Sequence, residues 1–357
     1  MNAEPSLATG ADTAPTFLRD LWYMAALADT LSPGQLRREI LLGEPVLLGR
    51  MRDGKAFALR DICPHRGVPL SAGRVLEENT VECPYHGWRF KPDGVCSLIP
   101  SLVEAEDMDA SKIRVRAYHL REQDGLIWVY MPASGHEAQP PQIEPPKVGV
   151  PNARPRWRES QTFKCHMDHA VIGLMDPAHA PYVHGRCWWK RAPRLKEKAY
   201  GPIARGFVMT RHQPSKPGYR LLGGDVTTEI TFELPGIRFE NIRGTLLGRQ
   251  IDVVGLTVCT PIDAETTEVT QIFYWPAWLG FIKPFFIALG PTFLGDDRKM
   301  VELQREGLKF NPRLMLIQDA DQPAIWYHRL KKAWAEAVQT GTQFANPVQE
   351  IILRWRS

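Results

Sequence analysis

Two short segments carry residues of the kind that hold transition metals. The first reads Cys63-Pro64-His65-Arg66-Gly67, the second Cys83-Pro84-Tyr85-His86-Gly87-Trp88. Each supplies one thiolate and one imidazole, and each is wrapped in Pro and Gly that turn the backbone. A Cys2His2 zinc finger instead groups its cysteines in one pair and its histidines in the other. A mixed pair on each of two loops suits a two-iron cluster, with both thiolates on one iron and both imidazoles on the other. Structural zinc is the plainer use of the same four donors.

Rieske [2Fe-2S] clusters are ligated in this mixed way. A second constellation follows a hundred residues on. The stretch Asp176-Pro177-Ala178-His179-Ala180-Pro181-Tyr182-Val183-His184 has the spacing Asp-x2-His-x4-His. On a helix Asp176 and His179 share a face, and Pro181 is expected to break the ladder so that His184 can turn toward the same point. Two neutral imidazoles and a carboxylate make the facial triad of non-haem Fe(II) oxygenases, which leaves positions open for O2 and substrate. The carboxylate must come from elsewhere. Asp297, in Gly295-Asp296-Asp297-Arg298, is the best candidate at an expected helix start, and Asp296 is its rival. A His-x4-His alone is also what ordinary core or surface histidines look like. It gains meaning from standing downstream of the Cys/His loops.

The elements that must position these residues fall into two groups. Strand-like pieces at 38–42, 45–50 and 56–60, separated by Gly43-Glu44 and Asp53-Gly54, suggest a small all-β domain that presents the cluster loops. Further strands are expected at 81–82, 88–90, 95–98, 113–118 and 126–130, with Asp124-Gly125 as a hairpin turn. Seven prolines between 132 and 155 rule out helix or central strand and mark a connection. Beyond it, 163–173 reads as helix. Strand-like runs at 207–211, 225–234, 237–241, 250–261 and 268–275 read as an antiparallel sheet. Helices over 296–310 and 320–338 complete the chain.

Composition sets the class. The chain has 357 residues, 44% hydrophobic and 24% charged, enough for two packed domains. The net charge of +4 is spread without a basic block, so nothing calls for nucleic acid. The six cysteines show no disulfide framework, and cluster thiolates imply a reducing, cytoplasmic compartment. Residues 1–16 have neither a basic start nor an apolar core, so they read as a frayed tail and not as a secretory signal. No Gly-x-Gly-x-x-Gly fingerprint follows a strand, so the chain is not expected to bind nicotinamide itself.

Residues 272–295 are apolar apart from Lys283 and have the length of a membrane span, but Pro276, Pro284 and Pro291 interrupt them. Core plus the apolar mouth of a substrate pocket is the leading reading, with a peripheral membrane contact as the other. His166 and His169, with Asp168, are expected to pack and not to ligate. His119, His136, His212 and His328 lack partners at ligand spacing. Cys187 beside Trp188-Trp189 reads as core.

Together Cys63-x-His65, Cys83-x2-His86, Asp176-x2-His179-x4-His184 and the acidic Asp297 segment resemble the oxygenase (α) subunit of Rieske non-haem iron oxygenases. The resemblance runs from Trp22 to the C-terminal 353–357 and is nearest the single-subunit branch of vanillate and dicamba O-demethylases. It implies an α+β chain: a tail over 1–20, an all-β Rieske domain over 21–135, a proline-rich connection over 136–156, and over 157–357 a helix-grip catalytic domain, an antiparallel sheet around a long helix. It implies a Rieske [2Fe-2S] cluster on Cys63, His65, Cys83 and His86, and mononuclear Fe(II) on His179, His184 and Asp297. Electrons would originate in NAD(P)H and arrive through a separate reductase or ferredoxin. In a homotrimer, Asp176 would bridge to a cluster histidine of the neighbouring subunit. The expected reaction is O2-dependent hydroxylation or O-/N-demethylation of an apolar or aromatic small molecule. Ring cis-dihydroxylation, or a Rieske electron-transfer protein without oxygenase activity, are the alternatives.

Overall fold

The computed structural model describes residues 17–103, 108–184, 194–214 and 225–357. The expectations for residues 1–16 and for Cys187-Trp188-Trp189 lie outside them. The chain forms two compact units, Arg19–Lys147 and Val148–Ser357, the second also including Leu18. The change from one to the other falls inside the proline-rich 136–156 segment.

The first unit is all-β. Its strands are β1 (Leu21–Leu27), β2 (Leu36–Leu41), β3 (Glu44–Arg50), β4 (Ala56–Arg60), β5 (Arg74–Val75), β6 (Val81–Glu82), β7 (Arg89–Phe90), β8 (Cys96–Leu98), β9 (Ala117–Tyr118), β10 (Leu120–Gln123) and β11 (Leu126–Met131). They make three antiparallel sheets, ordered β1-β11-β10, β2-β3-β4-β9 and β5-β6-β7-β8. The apolar run of β11 is buried throughout because it is the central strand of its sheet. Asp124 and Gly125 both adopt positive φ and join β10 to β11 in register Gln123↔Leu126, the primed turn that an Asp-Gly pair favours.

The 113–118 strand is shorter than expected, and β9 keeps only two residues. The segment before it pairs elsewhere: the Val115 N–H donates to the Gly94 carbonyl and the Cys96 N–H to the Ile113 carbonyl. A Cβ on Gly94 would collide with the Val115 carbonyl oxygen, so this crossing requires glycine. The stretch expected only as an aromatic entry is a full strand, β1, whose Trp22 and Tyr23 are buried.

The second unit is one eight-stranded antiparallel sheet with helices. It comprises β12 (Trp157–Phe163), α1 (Met167–Met175), α2 (Ala180–Val183), β13 (Leu195–Ile203), β14 (Gly206–His212), β15 (Thr227–Glu233), β16 (Ile237–Leu246), β17 (Arg249–Asp263), β18 (Thr266–Tyr274), α3 (Lys283–Leu308), α4 (Gln322–Thr340) and β19 (Ile351–Arg356). The sheet order is β12-β18-β17-β16-β15-β14-β13-β19. Helix α1 packs on β17 and β18 and against α3 and α4.

Three expectations change here. The helix expected over 163–173 begins at Met167, because Trp157–Phe163 pairs with β18 as an edge strand that buries only its two ends and alternates exposure between them. His166 caps the helix, its ring nitrogen accepting the Asp168 N–H. The helix expected from 296 starts at Lys283, with Pro284 in its first turn, where a missing N–H costs nothing, and it runs through Pro291. Asp297 is therefore at mid-helix and not at a helix start.

The 272–295 run is also more than core. Trp275, Leu279 and Leu294 are buried, but Phe281, Phe285 and Ile287 are exposed. Ala277–Leu308 has the length and composition of a membrane span. Yet α3 lies directly on the sheet: a Cβ on Gly290 would overlap the Trp157 ring. Backbone contact of this closeness belongs to a packed helix.

Candidate metal centres

The two Cys/His loops of the first unit are built alike. In each, the Cys N–H donates to the carbonyl five residues on, Val68 or Trp88. In each, a Gly four residues after the Cys donates back to the Cys carbonyl, at 2.9 Å for Gly67 and 3.1 Å for Gly87. Both glycines have φ near +70°, a left-handed conformation that side chains resist. Identical turns thus hold two cysteines at equivalent positions. Cys63 and Cys83 are buried in the unit's core with Phe90 and Leu59, and His65 and His86 are exposed.

The rings form a stacked group. His65 and His86 lie 4.5 Å apart between centroids, His65 stacks on Trp88 at 4.7 Å, and Tyr85 lies against His86 at 3.9 Å. Burial, together with the neighbouring Cys83, pushes the Cys63 thiol up to about 11, although the His65 N–H partly opposes this. Some burial, and the charges of His86 and Arg66, hold the His65 imidazole below its ordinary value, in the neutral form that a ligand needs. Among the described residues, His179, His184 and Asp297 are the only His/Cys/Asp/Glu trio whose donor atoms all lie within 4.8 Å of one another. The four donors of the Cys/His loops do not converge on one point, as a single zinc ion requires. A two-iron cluster, with thiolates at one end and imidazoles at the other, does not ask them to.

In the second unit, α1 ends at Met175 because Asp176 precedes Pro177 and is pushed to extended geometry. Asp176 is thus the C-cap of α1. It is not on a helix face with His179. Its side chain accepts the Ala178 N–H at 2.7 Å, closing a short turn. Pro181 does not break a helix either; it sits in the first turn of α2, whose caps are His179 and His184. The one-turn helix carries the two imidazoles at its ends, 5.4 Å apart between centroids.

Each ring is oriented. The His179 Nδ1–H donates to the Asp176 carbonyl at 2.8 Å, which leaves Nε2 as a bare acceptor 3.6 Å from Asp297 Oδ1. His184 Nε2 lies 3.2 Å from the same oxygen. Asp296 Oδ2 instead lies 3.7 Å from His184 Nδ1, on the far side of the ring. Helix phase therefore separates the two neighbouring carboxylates, one facing both Nε2 atoms and the other behind one ring. His184 is 5% exposed and Asp297 8%. Both His184 nitrogens are buried without a hydrogen-bond partner, which fits a bound cation on Nε2. Burial lowers the His179 imidazole, opposed by the nearby Asp297 and Asp176 charges. The same burial raises the Asp176 carboxyl.

Two supporting residues were not visible in the sequence motifs. Phe293, one turn before Asp297 on α3, stacks on His184 at 3.8 Å and 16°. Trp355 of β19 donates its indole N–H to the Pro177 carbonyl at 3.2 Å and so pins the ligand loop. The i, i+4 spacing of Phe293 and Asp297 was the available signal for the first; nothing local signals the second. His166 and His169 belong to a separate buried group around Asp168.

Residues 21–118 match the Rieske [2Fe-2S] domain family and residues 163–337 the vanillate O-demethylase oxygenase C-terminal domain family. The chain belongs to the Rieske oxygenases. It is 38% identical over 172 residues to the oxygenase component of dicamba O-demethylase from Stenotrophomonas maltophilia, a match covering 47% of this chain and 48% of that one. The matched stretch thus spans about half of that relative's length. With 4β-methylsterol monooxygenase from Methylococcus capsulatus it shares 28% identity over 355 residues, covering 91% of this chain and 90% of the relative. The fold is that of dicamba monooxygenase bound to dicamba, with a TM-score of 0.72 at 24% identity, covering 91% of this chain and all of that one.

Proposed function

We propose that the chain is the terminal oxygenase component of a multi-protein system. It accepts electrons that originate in NAD(P)H from a separate reductase, directly or through a ferredoxin, and uses O2 to hydroxylate or O-/N-demethylate an apolar or aromatic small molecule. The observation that carries this reading is the convergence of His179, His184 and Asp297 in a chain that also carries the Cys63/His65/Cys83/His86 loops. An electron carrier would need only the loops. Relatives named for dicamba O-demethylation and 4β-methylsterol monooxygenation support a small, largely apolar substrate.

When bound, the cluster stores and passes single electrons, and the iron activates O2 at its open positions. The chain's own residues prepare both sites. Cys63 and Cys83 would hold the cluster through their buried thiolates, and His65 and His86 through their exposed imidazoles. His179 and His184 present Nε2 with Asp297 between them. The Asp176 carbonyl and the Phe293 ring fix the planes of the two imidazoles. Asp176 is assigned the bridge between a cluster histidine of one chain and the iron site of the next in a homotrimer. Its partly exposed side chain, and the exposure of His65 and His86, are what such a bridge requires. Residues 21–135 serve the cluster and 157–357 the iron, linked by 136–156. Among the described residues no cysteine is in a disulfide, which suits a reducing, cytoplasmic setting.

The test is O2 uptake coupled to product, with a surrogate reductase and a panel of methoxy- and N-methyl-aromatic compounds, reading formaldehyde for demethylation. Asp297→Ala should abolish turnover and iron retention while the cluster absorption remains; Asp296→Ala should keep iron. The reverse pattern would move the ligand to Asp296, and full activity in both would remove the iron assignment.

A further inference from the structure

The exposed apolar side chains at the start of α3 and in the 3-10 turn Ala277–Ile282 that leads into it are not used by either metal centre. Phe281 in that turn and Pro284, Phe285 and Ala288 in α3 are all exposed. They follow the i, i+3, i+4, i+7 spacing that lines one helix face. Phe281 is 65% exposed and Phe285 49%. On the other side of the same segment, Leu279, Ile282 and Phe286 pack into a core with Trp157, Trp275 and Trp278. The segment is therefore apolar on both its buried and its outer face.

A second element reaches the same place. Leu246, at the end of β16, packs against the same core as Trp278 and Ile282. Arg249, at the start of β17, lies over the Trp278 ring at 5.7 Å. The hairpin tip between them, Leu247-Gly248, projects outward. Leu247 is 86% exposed and has φ +52°, a conformation that favours Gly, Asn or Asp. A bulky leucine is thus held in an unfavourable backbone state and almost wholly exposed, on a hairpin whose flanking residues Leu246 and Arg249 pack on the core that the Phe281–Phe286 segment also covers.

The charges carried by the two segments themselves have one sign: Lys283 is the only charged residue within 277–295, and Arg249 the only one within 246–250. On the hairpin, Asp252 is paired with Arg243 at 2.7 Å, and Asp225, ahead of β15, accepts the Thr245 N–H at 2.9 Å. Exposed Phe and Leu with a basic rim is the composition of surfaces that sit in the headgroup region of anionic bilayers.

We propose that the Leu247 hairpin tip and the Phe281–Ala288 helix face form a monotopic docking surface for an anionic lipid bilayer. Phe285 and Asp297 are twelve residues apart on one helix, about 18 Å along its axis. If the oxygenase reading holds, the docked face would bring an apolar substrate dissolved in the membrane to the helix that carries the iron ligand. The docking itself does not depend on that chemistry.

The test is co-sedimentation of the full, cluster-loaded chain with vesicles of phosphatidylcholine alone and of phosphatidylcholine mixed equally with phosphatidylglycerol. The wild type should pellet with the mixed vesicles and be released by salt. Phe281→Ser/Phe285→Ser should weaken partitioning at least about tenfold, and Arg249→Gln or Lys283→Gln about fivefold each. An unchanged cluster spectrum and melting temperature show that the variants are folded. The proposal fails if the wild type stays in the supernatant, or if the double variant pellets equally. It also fails if the double variant is a smaller oligomer than the wild type, which would make this face an interface between copies of the chain. Turnover on a water-soluble substrate should be unchanged in Arg249→Gln, which separates failure of docking from failure of the oxygenase reading.

Discussion

Replacing Asp168 by Asn should destabilise the second unit out of proportion to the one atom changed. Asp168 sits in the first turn of α1 and accepts the Tyr327 hydroxyl at 2.6 Å and the Lys331 ammonium at 2.7 Å, both from α4. His166 Nδ1 lies 3.4 Å away. Lys331 is 8% exposed, so its charge is compensated almost wholly by this carboxylate. Asn preserves size and one acceptor but leaves the ammonium buried without a counter-charge, which costs about 3–5 kcal/mol. For a unit of this size that is a fall in melting temperature of roughly 6–20 °C, measured by calorimetry. Adding Lys331→Met should recover much of the loss, because no buried charge then remains. Burial pushes the Asp168 carboxyl up, but the His166 contact and the Lys331 charge outweigh it and hold the group well below the carboxylate range. A depressed acid contributes stability that is full above its unfolded value and fades as pH falls toward the folded one. The gap between wild type and Asp168→Asn should therefore narrow below about pH 4. A single-variant loss under about 1 kcal/mol, or a double variant worse than the sum of the singles, would refute the reasoning.

Asp176→Asn should leave both metals bound, read as iron content and cluster absorption, yet slow single-turnover product formation; a normal rate would remove its bridging role. Glu44 ties β3 to the segment ahead of β1 through Arg19 and to β9 through Tyr118 and the adjacent Arg116. Burial raises its carboxyl, but those partners lower it below 4.5 overall. Glu44→Gln should cost about 1–2 kcal/mol at neutral pH. That contribution is complete above 4.5 and is lost as pH falls through the folded value, so acid unfolding of wild type and variant should converge.

The loop cysteines and histidines and the His179/His184 pair were legible from residue type and spacing. Cys63 with Gly67 and Cys83 with Gly87 are local turns, closed within five residues by their own backbone bonds, so their chemistry could be read from spacing alone. The same is true of His179 and His184, held at the two ends of one helical turn. Most strands of the first unit were legible for the same reason: Gly and Asp-Gly turns bracket them. Edge strands were harder. β12 has only polar residues between its two buried ends, and β19 leaves four of its six residues exposed, two of them isoleucines.

The features that depend on packing join residues far apart in the chain. Asp297 faces both imidazoles and Asp296 does not because α3 is one continuous helix from Lys283, laid on the sheet at Gly290, and that contact fixes its rotation. A helix beginning at 296, as the spacing suggested, would have carried no such phase information. The pairing of Asp168 with Lys331 joins residues 163 positions apart, and the outward turn of Phe281 and Phe285 follows from which face Trp157 and Trp275 had already claimed. Local turns are set by a few dihedrals, but the choice between adjacent carboxylates is set by how a whole helix packs.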